Sequence, residues 1–184
     1  MEDCRVASDD TEMTLDRFFT GLSENVFHSQ LGVVDTQIVD YISSLLVRFS
    51  RFDAMNRVRQ LNGQPAVEVV VMVAEAEMRV GEARREVHRH IGDYTLFWTG
   101  VYPEALRDMK SPDKKDQFVS YCAQGKRAYR IASSIRCEES KASNDLLQRL
   151  SDQFEMCAYG LREIRREWER RDGDGESDVP FLLI

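Results

Sequence analysis

In the stretch Leu146-Leu147-Gln148-Arg149-Leu150-Ser151-Asp152-Gln153-Phe154-Glu155-Met156-Cys157-Ala158-Tyr159-Gly160-Leu161-Arg162-Glu163-Ile164-Arg165-Arg166-Glu167-Trp168, apolar residues stand at 146, 147, 150, 154, 157, 161, 164 and 168. From Leu147 onward the steps alternate between three and four, which keeps these side chains on one face of an α-helix; a strand would repeat every second residue. The same period appears outward from this stretch. Leu15, Phe18, Phe19, Leu22 and Val26 form one stripe, which fails at Leu31-Gly32, where glycine can close a helix in the left-handed conformation. Asp35-Thr36 is a capping signal for a second helix, with Ile38, Val39, Ile42, Leu45, Leu46, Phe49 and Phe52 on its wide apolar face.

A turn at Asn62-Gly63-Gln64-Pro65 precedes a third helix opening at Pro65. Ala66, Val70, Val73, Glu77, Val80, Ala83, Val87, Ile91, Tyr94 and Trp98 follow helical spacing along it, and Glu75, Arg79, Glu82, Arg85, Glu86 and Arg89 form a charged outer face. Gly81 and Gly92 interrupt this long pattern and mark a close helix contact, a kink or a break. Val67 to Val73 is rich in β-branched residues but lies within the helical period, and no strand is expected. Gly100-Val101-Tyr102 ends the helix and Pro103 starts a short one to Met109. Ser111-Pro112-Asp113 opens a fourth main helix to about Cys137, whose face is Phe118, Tyr121, Cys122, Gly125, Ala128, Tyr129, Ala132 and Ile135. The predicted fold is all-α: a single-domain bundle of about five main helices with a short extra helix and an apolar C-terminal tail. Residues 1–12 read as a disordered N-terminus, 13–171 as the helical domain, and 172–184 as an acidic linker and apolar tail.

Composition narrows the functional classes. A formal net charge of −7 argues against nucleic-acid binding, which requires Lys and Arg to neutralise phosphates. No run of apolar residues is long enough for a membrane span. The start, Met1-Glu2-Asp3-Cys4, has neither the basic nor the apolar region of a signal peptide, and the expected location is cytoplasmic. Cys4, Cys122, Cys137 and Cys157 are too far apart for a zinc knuckle and read as reduced thiols.

No phosphate-binding glycine loop and no G-x-S-x-G nucleophile elbow occur. Asp172, Asp174 and Glu176 alternate as in a calcium loop, but the sixth position is Ser177 and the twelfth Leu183, so a solvated linker is the reading. His28, His88 and His90 are read as surface or helix-end residues. His88 and His90 project to opposite sides of a helix and cannot both ligate from it, while Glu86 and His90, four apart on one face, could share a metal as the alternative reading. No catalytic residue, metal or cofactor is assigned.

The densest chemistry lies in Arg89-His90-Ile91-Gly92-Asp93-Tyr94-Thr95-Leu96-Phe97-Trp98-Thr99-Gly100-Val101-Tyr102-Pro103-Glu104. Its aromatics suit a pocket wall and its charged groups polar anchors. The candidate ligand-binding residues are Arg89, Asp93, Trp98, Tyr102 and Glu104, together with Tyr121 and Tyr129. The last two flank Gly125 four residues to either side and leave a dent on one helix face. The alternative is that Phe97 and Trp98 are core, that Asp93 pairs with an Arg, and that another helix fills the dent.

The series Arg89-x-x-Gly92-Asp93-x-x-Leu96-Phe97-x-x-Gly100-x-x-Pro103-Glu104, accompanied by Tyr121, Gly125 and Tyr129, resembles a pattern of uncharacterised bacterial all-helical proteins. The resemblance implies a bacterial cytoplasmic protein and no particular activity. Two functions therefore stand. One is a non-catalytic interaction or scaffold protein, whose tail residues Phe181, Leu182, Leu183 and Ile184 either dock back on the chain's own helices or recognise a protein partner or a second copy. The other is an enzyme or small-ligand-binding protein with a pocket around 89–104 and 121–129.

Overall fold

The computed structural model describes residues 15–50, 68–108, 117–137 and 142–173. Among these residues every regular element is helical. Helix α1 covers residues 15–24 and runs on as a π-helical turn, Asn25–Gln30. Then come α2 (Thr36–Phe49), α3 (Val69–Glu77), α4 (Gly81–Val101), α5 (Pro103–Asp108), α6 (Gln117–Ser134), α7 (Asn144–Asp152) and α8 (Phe154–Gly173). Several readings fall outside the described residues: the N-terminus 1–12, Phe52, the turn at 62–65, the starts at Pro65 and Ser111, and the tail from 174 to 184 with Phe181, Leu182, Leu183 and Ile184.

The chain divides into two compact units, Met1–Arg51 with Gly160–Ile184 and Phe52–Tyr159. In the first, local signals act as the sequence indicates. The Asp35 carboxylate accepts the Ile38 amide at 3.2 Å and starts α2, while Gly32 takes a φ of +67° after α1. The π-helical turn inserts a residue into the helical ladder, with Leu31 N–H donating to Val26 C=O at 3.0 Å. It sets Phe27 over Gly160, where a Cβ would overlap the ring. Edge-to-face contacts among Phe18, Phe19 and Trp168 join α1 to the end of α8.

In the second unit, α4 packs mainly on α6, α6 on α7, and α3 on α4. The long third helix of the sequence reading is two helices. It breaks at Met78–Val80, and Gly81 starts α4 with a φ of +57°, which a side chain rarely adopts. The break resets the rotation, so the continuous stripe does not survive: Val70 is 77% and Val80 84% exposed. Arg84 and Glu77 span the break with paired contacts of 3.0 and 3.1 Å. The last predicted helix is also divided, at Gln153. Here the ladder continues, Gln153 N–H to Arg149 C=O and Cys157 N–H to Gln153 C=O, both 2.9 Å, and the apolar phase is kept.

The charged outer face expected of Glu75 to Arg89 is a second correction. Glu75 and Arg85 are buried, and Arg89 nearly so. Arg85 is 0% exposed and reaches the Ala142 carbonyl and the Asn144 side chain, holding the start of α7 against α4. Periodicity cannot reveal this, because α4 is covered on more than one side and its guanidinium finds backbone acceptors inside.

Two glycines set the α4–α6 approach. A Cβ on Gly92 would lie 2.6 Å from the Tyr129 ring, and one on Gly125 would overlap Phe154 and the Thr95 hydroxyl. Gly92→Ala and Gly125→Ala are expected to lower stability by about 1–3 kcal/mol through overpacking, despite the better helix propensity of Ala. Gly21→Ala, with open space around it, is expected to raise stability by up to about 1 kcal/mol. Urea unfolding of the three variants checks this; the same sign at all three sites would refute it.

Candidate functional site

The middle of α4 carries Asp93, 1% exposed, amid apolar neighbours. A carboxylate there needs donors on both oxygens. Tyr129 donates its hydroxyl from α6 to Oδ1 at 2.8 Å, and Arg89, one turn earlier on α4, approaches Oδ2 at 3.5 Å. Arg89 is itself held by Glu86, its Nη2 to Oε2 distance being 2.6 Å. Glu86, Arg89, Asp93 and Tyr129 thus form a connected polar chain from the edge of α4 to the core. Gly92 beside Asp93 permits it, since the Tyr129 ring lies against the glycine backbone.

Three of the seven sequence-assigned ligand residues therefore meet: Arg89, Asp93 and Tyr129. The others are placed apart from this chain. Trp98 and Tyr102 belong to a row of rings on successive turns, His90–Tyr94–Trp98–Tyr102, with centroids 6.3, 6.1 and 5.6 Å apart. Tyr121 acts on Tyr94, whose pKa is pushed up to about 12, first by burial and then by the Tyr121 phenol. Burial, and then Glu68, raises the Tyr121 pKa in turn. Both phenols stay protonated across the physiological range. Glu104 is exposed on α5. The dent between Tyr121 and Tyr129 at Gly125 is filled by Phe154 and Thr95. Thr95 turns its hydroxyl back to the Ile91 and Gly92 carbonyls, at 2.8 and 3.0 Å.

The sequence reading misjudged the histidines. His88 is 2% exposed and His90 is buried; His28 alone is partly open, with its Nδ1 2.6 Å from the Val33 carbonyl oxygen. Both ring nitrogens of His88 lack a hydrogen-bond partner. It lines a cavity of about 20 Å³ whose other polar groups are Glu77, Gln124 and Arg127, room for roughly one water. No spacing motif marks His88; the one available hint is its place in an alternating charged series. Burial, then Arg84, lower its pKa, with Arg127 adding to them and Glu77 opposing.

Among the described residues no group of three or more His, Cys, Asp or Glu is arranged to hold a metal ion. Among the described residues Cys122, Cys137 and Cys157 form no disulfide. No helix among the described residues is long and apolar enough to cross a membrane. No family model, curated protein or solved structure matches the chain.

Two outcomes follow. Asp93→Ala is expected to cost about 1–3 kcal/mol, because the buried Tyr129 hydroxyl loses this acceptor while Arg89 keeps Glu86. An unchanged melting temperature would show that the polar chain contributes nothing. His88 is neutral above its ordinary value of 6.5 in both folded and unfolded chains. As pH falls through 6.5 the unfolded chain takes the proton first, so stability declines, by at most about 1.4 kcal/mol per pH unit, until the lower folded-state value is reached. Melting temperatures between about pH 8 and pH 5 should fall less in His88→Gln; equal slopes would remove His88 as the cause.

Proposed function

We propose that the protein is a non-catalytic interaction protein that docks an apolar helical segment of a protein partner on the outer face of α3. The supporting observation is the composition of α3 itself. Val69, Met72 and Ala76 are buried, yet Val70, Ala74 and Met78, each four residues on from the last, face outward with Val80 just beyond. Single exposed apolar residues are ordinary on a protein surface. A row at i, i+4 and i+8 is different, because it is the ridge that packs into the groove of a second helix. Full burial of a Val or Met side chain contributes roughly 1.5–3 kcal/mol, enough for this row to anchor a partner.

The polar chain at Asp93 supports the same reading. Its carboxylate oxygens are engaged by Tyr129 and Arg89, and Tyr129 is buried, so these groups serve packing rather than substrate. The acidic net charge of −7 favours a protein partner over nucleic acid. Free thiols at Cys122, Cys137 and Cys157 suit the cytoplasm. The apolar C-terminal residues Phe181 to Ile184 remain a second partner-binding segment of this proposal.

A photo-crosslinking residue at Ala74 tests the reading in cells that express the full chain. One dominant adduct is expected, mapping to an apolar helical segment either of another protein or of a second copy. It should disappear in Val70→Asp/Met78→Asp while the melting temperature stays within about 0.5 kcal/mol equivalent, as for surface substitutions. Absence of a dominant adduct, or an adduct indifferent to the substitutions, would overturn it.

A further inference from the structure

We propose that the cavity bounded by α3, α4 and α6 is a binding site for a small oxyanion, with His88 at its floor and Arg127 at its rim. Four observations carry this. The first is His88, 2% exposed, lining the cavity with two ring nitrogens that no protein group satisfies. An imidazole always has at least one N–H to donate, and when protonated it has two. A buried polar group without a partner is unfavourable, and a ligand that meets it relieves that cost.

The second observation is the charge balance. Glu77 also lines the cavity, but its carboxylate is taken up by Arg84 at 3.0 and 3.1 Å, and the two charges cancel. Arg127 on α6 is exposed and makes no ion pair with any described residue. The lining therefore carries one uncompensated positive charge while His88 is neutral and two once it is protonated. The third is Gln124, whose amide adds a donor on the same side as Arg127, three residues away along α6. The fourth is size. About 20 Å³ admits one oxygen-sized group, so one oxygen of the anion enters toward His88 and the rest stays at the mouth beside Arg127.

A metal cation is a poorer occupant. It would meet one imidazole and one carboxylate already held by Arg84, short of the three or four ligands that zinc takes from protein. A water molecule fits the enclosed space but leaves the Arg127 charge uncompensated. The chemistry shared by sulfate, phosphate and carboxylate fits: a planar guanidinium and an imidazolium both donate to such oxygens. Occupancy also couples to protonation. Among the described residues three charged groups act on His88: Arg84 on its own helix and Arg127 on α6 disfavour the imidazolium, while Glu77 on α3 favours it. An anion tips that balance toward the charged ring, so binding strengthens as pH falls.

The test uses the full chain and sodium sulfate, which stays a dianion from about pH 5 to pH 8, against sodium chloride at equal ionic strength. The histidine ring resonances and the melting temperature are followed at about pH 6 and pH 8. Sulfate is expected to shift the His88 ring signals saturably and to raise the melting temperature above the chloride control, more so at the lower pH. Arg127→Gln, an exposed change that leaves packing intact, should weaken binding about tenfold, the loss of one charge-assisted hydrogen bond. His88→Gln should remove the pH dependence. A parallel titration with acetate identifies the source: competition with sulfate assigns the site to carboxylates as well, and no competition assigns it to tetrahedral oxyanions. A response that matches chloride, fails to saturate, or is unaffected by Arg127→Gln overturns the proposal.

Discussion

The hydrogen bond from Tyr129 to Asp93 is the constraint around which the unit Phe52–Tyr159 is organised. An ionised carboxylate cannot remain alone in an apolar interior, and one removed from water must find donors with good geometry. Tyr129 supplies one donor, but its ring must reach Asp93 across the surface of α4, and only Gly92 leaves room for it. The requirement is mutual. Gly125 on α6 takes the Thr95 side chain of α4 and the Phe154 ring of α8, and the Phe154 and Tyr129 rings lie 6.2 Å apart. Each helix thus presents a glycine to a bulky group of the other, and the polar contact fixes which turn meets which. Apolar packing alone would tolerate a slide of one turn; a buried donor–acceptor pair does not.

Around that contact α4 carries an unusual load of interior polarity. Arg85 holds the Ala142 carbonyl and Asn144, Arg89 bridges Glu86 and Asp93, and Thr95 and Thr99 return their hydroxyls to carbonyls of the helix itself. Apart from Arg85 Nε these polar atoms are matched locally, which makes the groups structural. His88 differs because it is equally buried yet has no protein partner, and it faces a cavity instead of a neighbouring helix. Single ring or guanidinium nitrogens of Arg85, His90 and Trp98 also lack a hydrogen-bond partner, but His88 has both nitrogens unmatched and a cavity beside them. That difference moves attention from the aromatic-rich segment around Trp98 and Tyr102 to the opposite, less conspicuous side of α4.

Local chemistry was legible in advance where it acts within one turn of chain. The cap at Asp35, the left-handed Gly32 and the restart at Pro103 all stand where the residue types place them, because the hydrogen bonds concerned span only a few residues. The apolar face of α6 and the phase of the final stretch through Gln153 were legible for a related reason: burial of one face imposes a period on many residues at once. Asp93 was conspicuous as an acid inside an apolar run, and the pairing of such a group follows from its cost in the interior.

The sequence by itself therefore determined that the described chain is helical, where α1 ends and where α2 and α5 begin, and that a buried Asp93 needs a partner. Only the tertiary structure decided that Glu75, Arg85 and His88 are inside, that Val70 and Val80 are outside, and that α3 and α4 are separate helices. A period of three and four specifies which residues share a face, not how many faces are covered. α4 is covered on more than one side, by α3 and α6 and at Arg85 by the start of α7, so its charged residues are buried wherever these lie against them. The rotation between α3 and α4 likewise depends on the Gly81 dihedral and the Arg84–Glu77 pair, which no periodic pattern encodes.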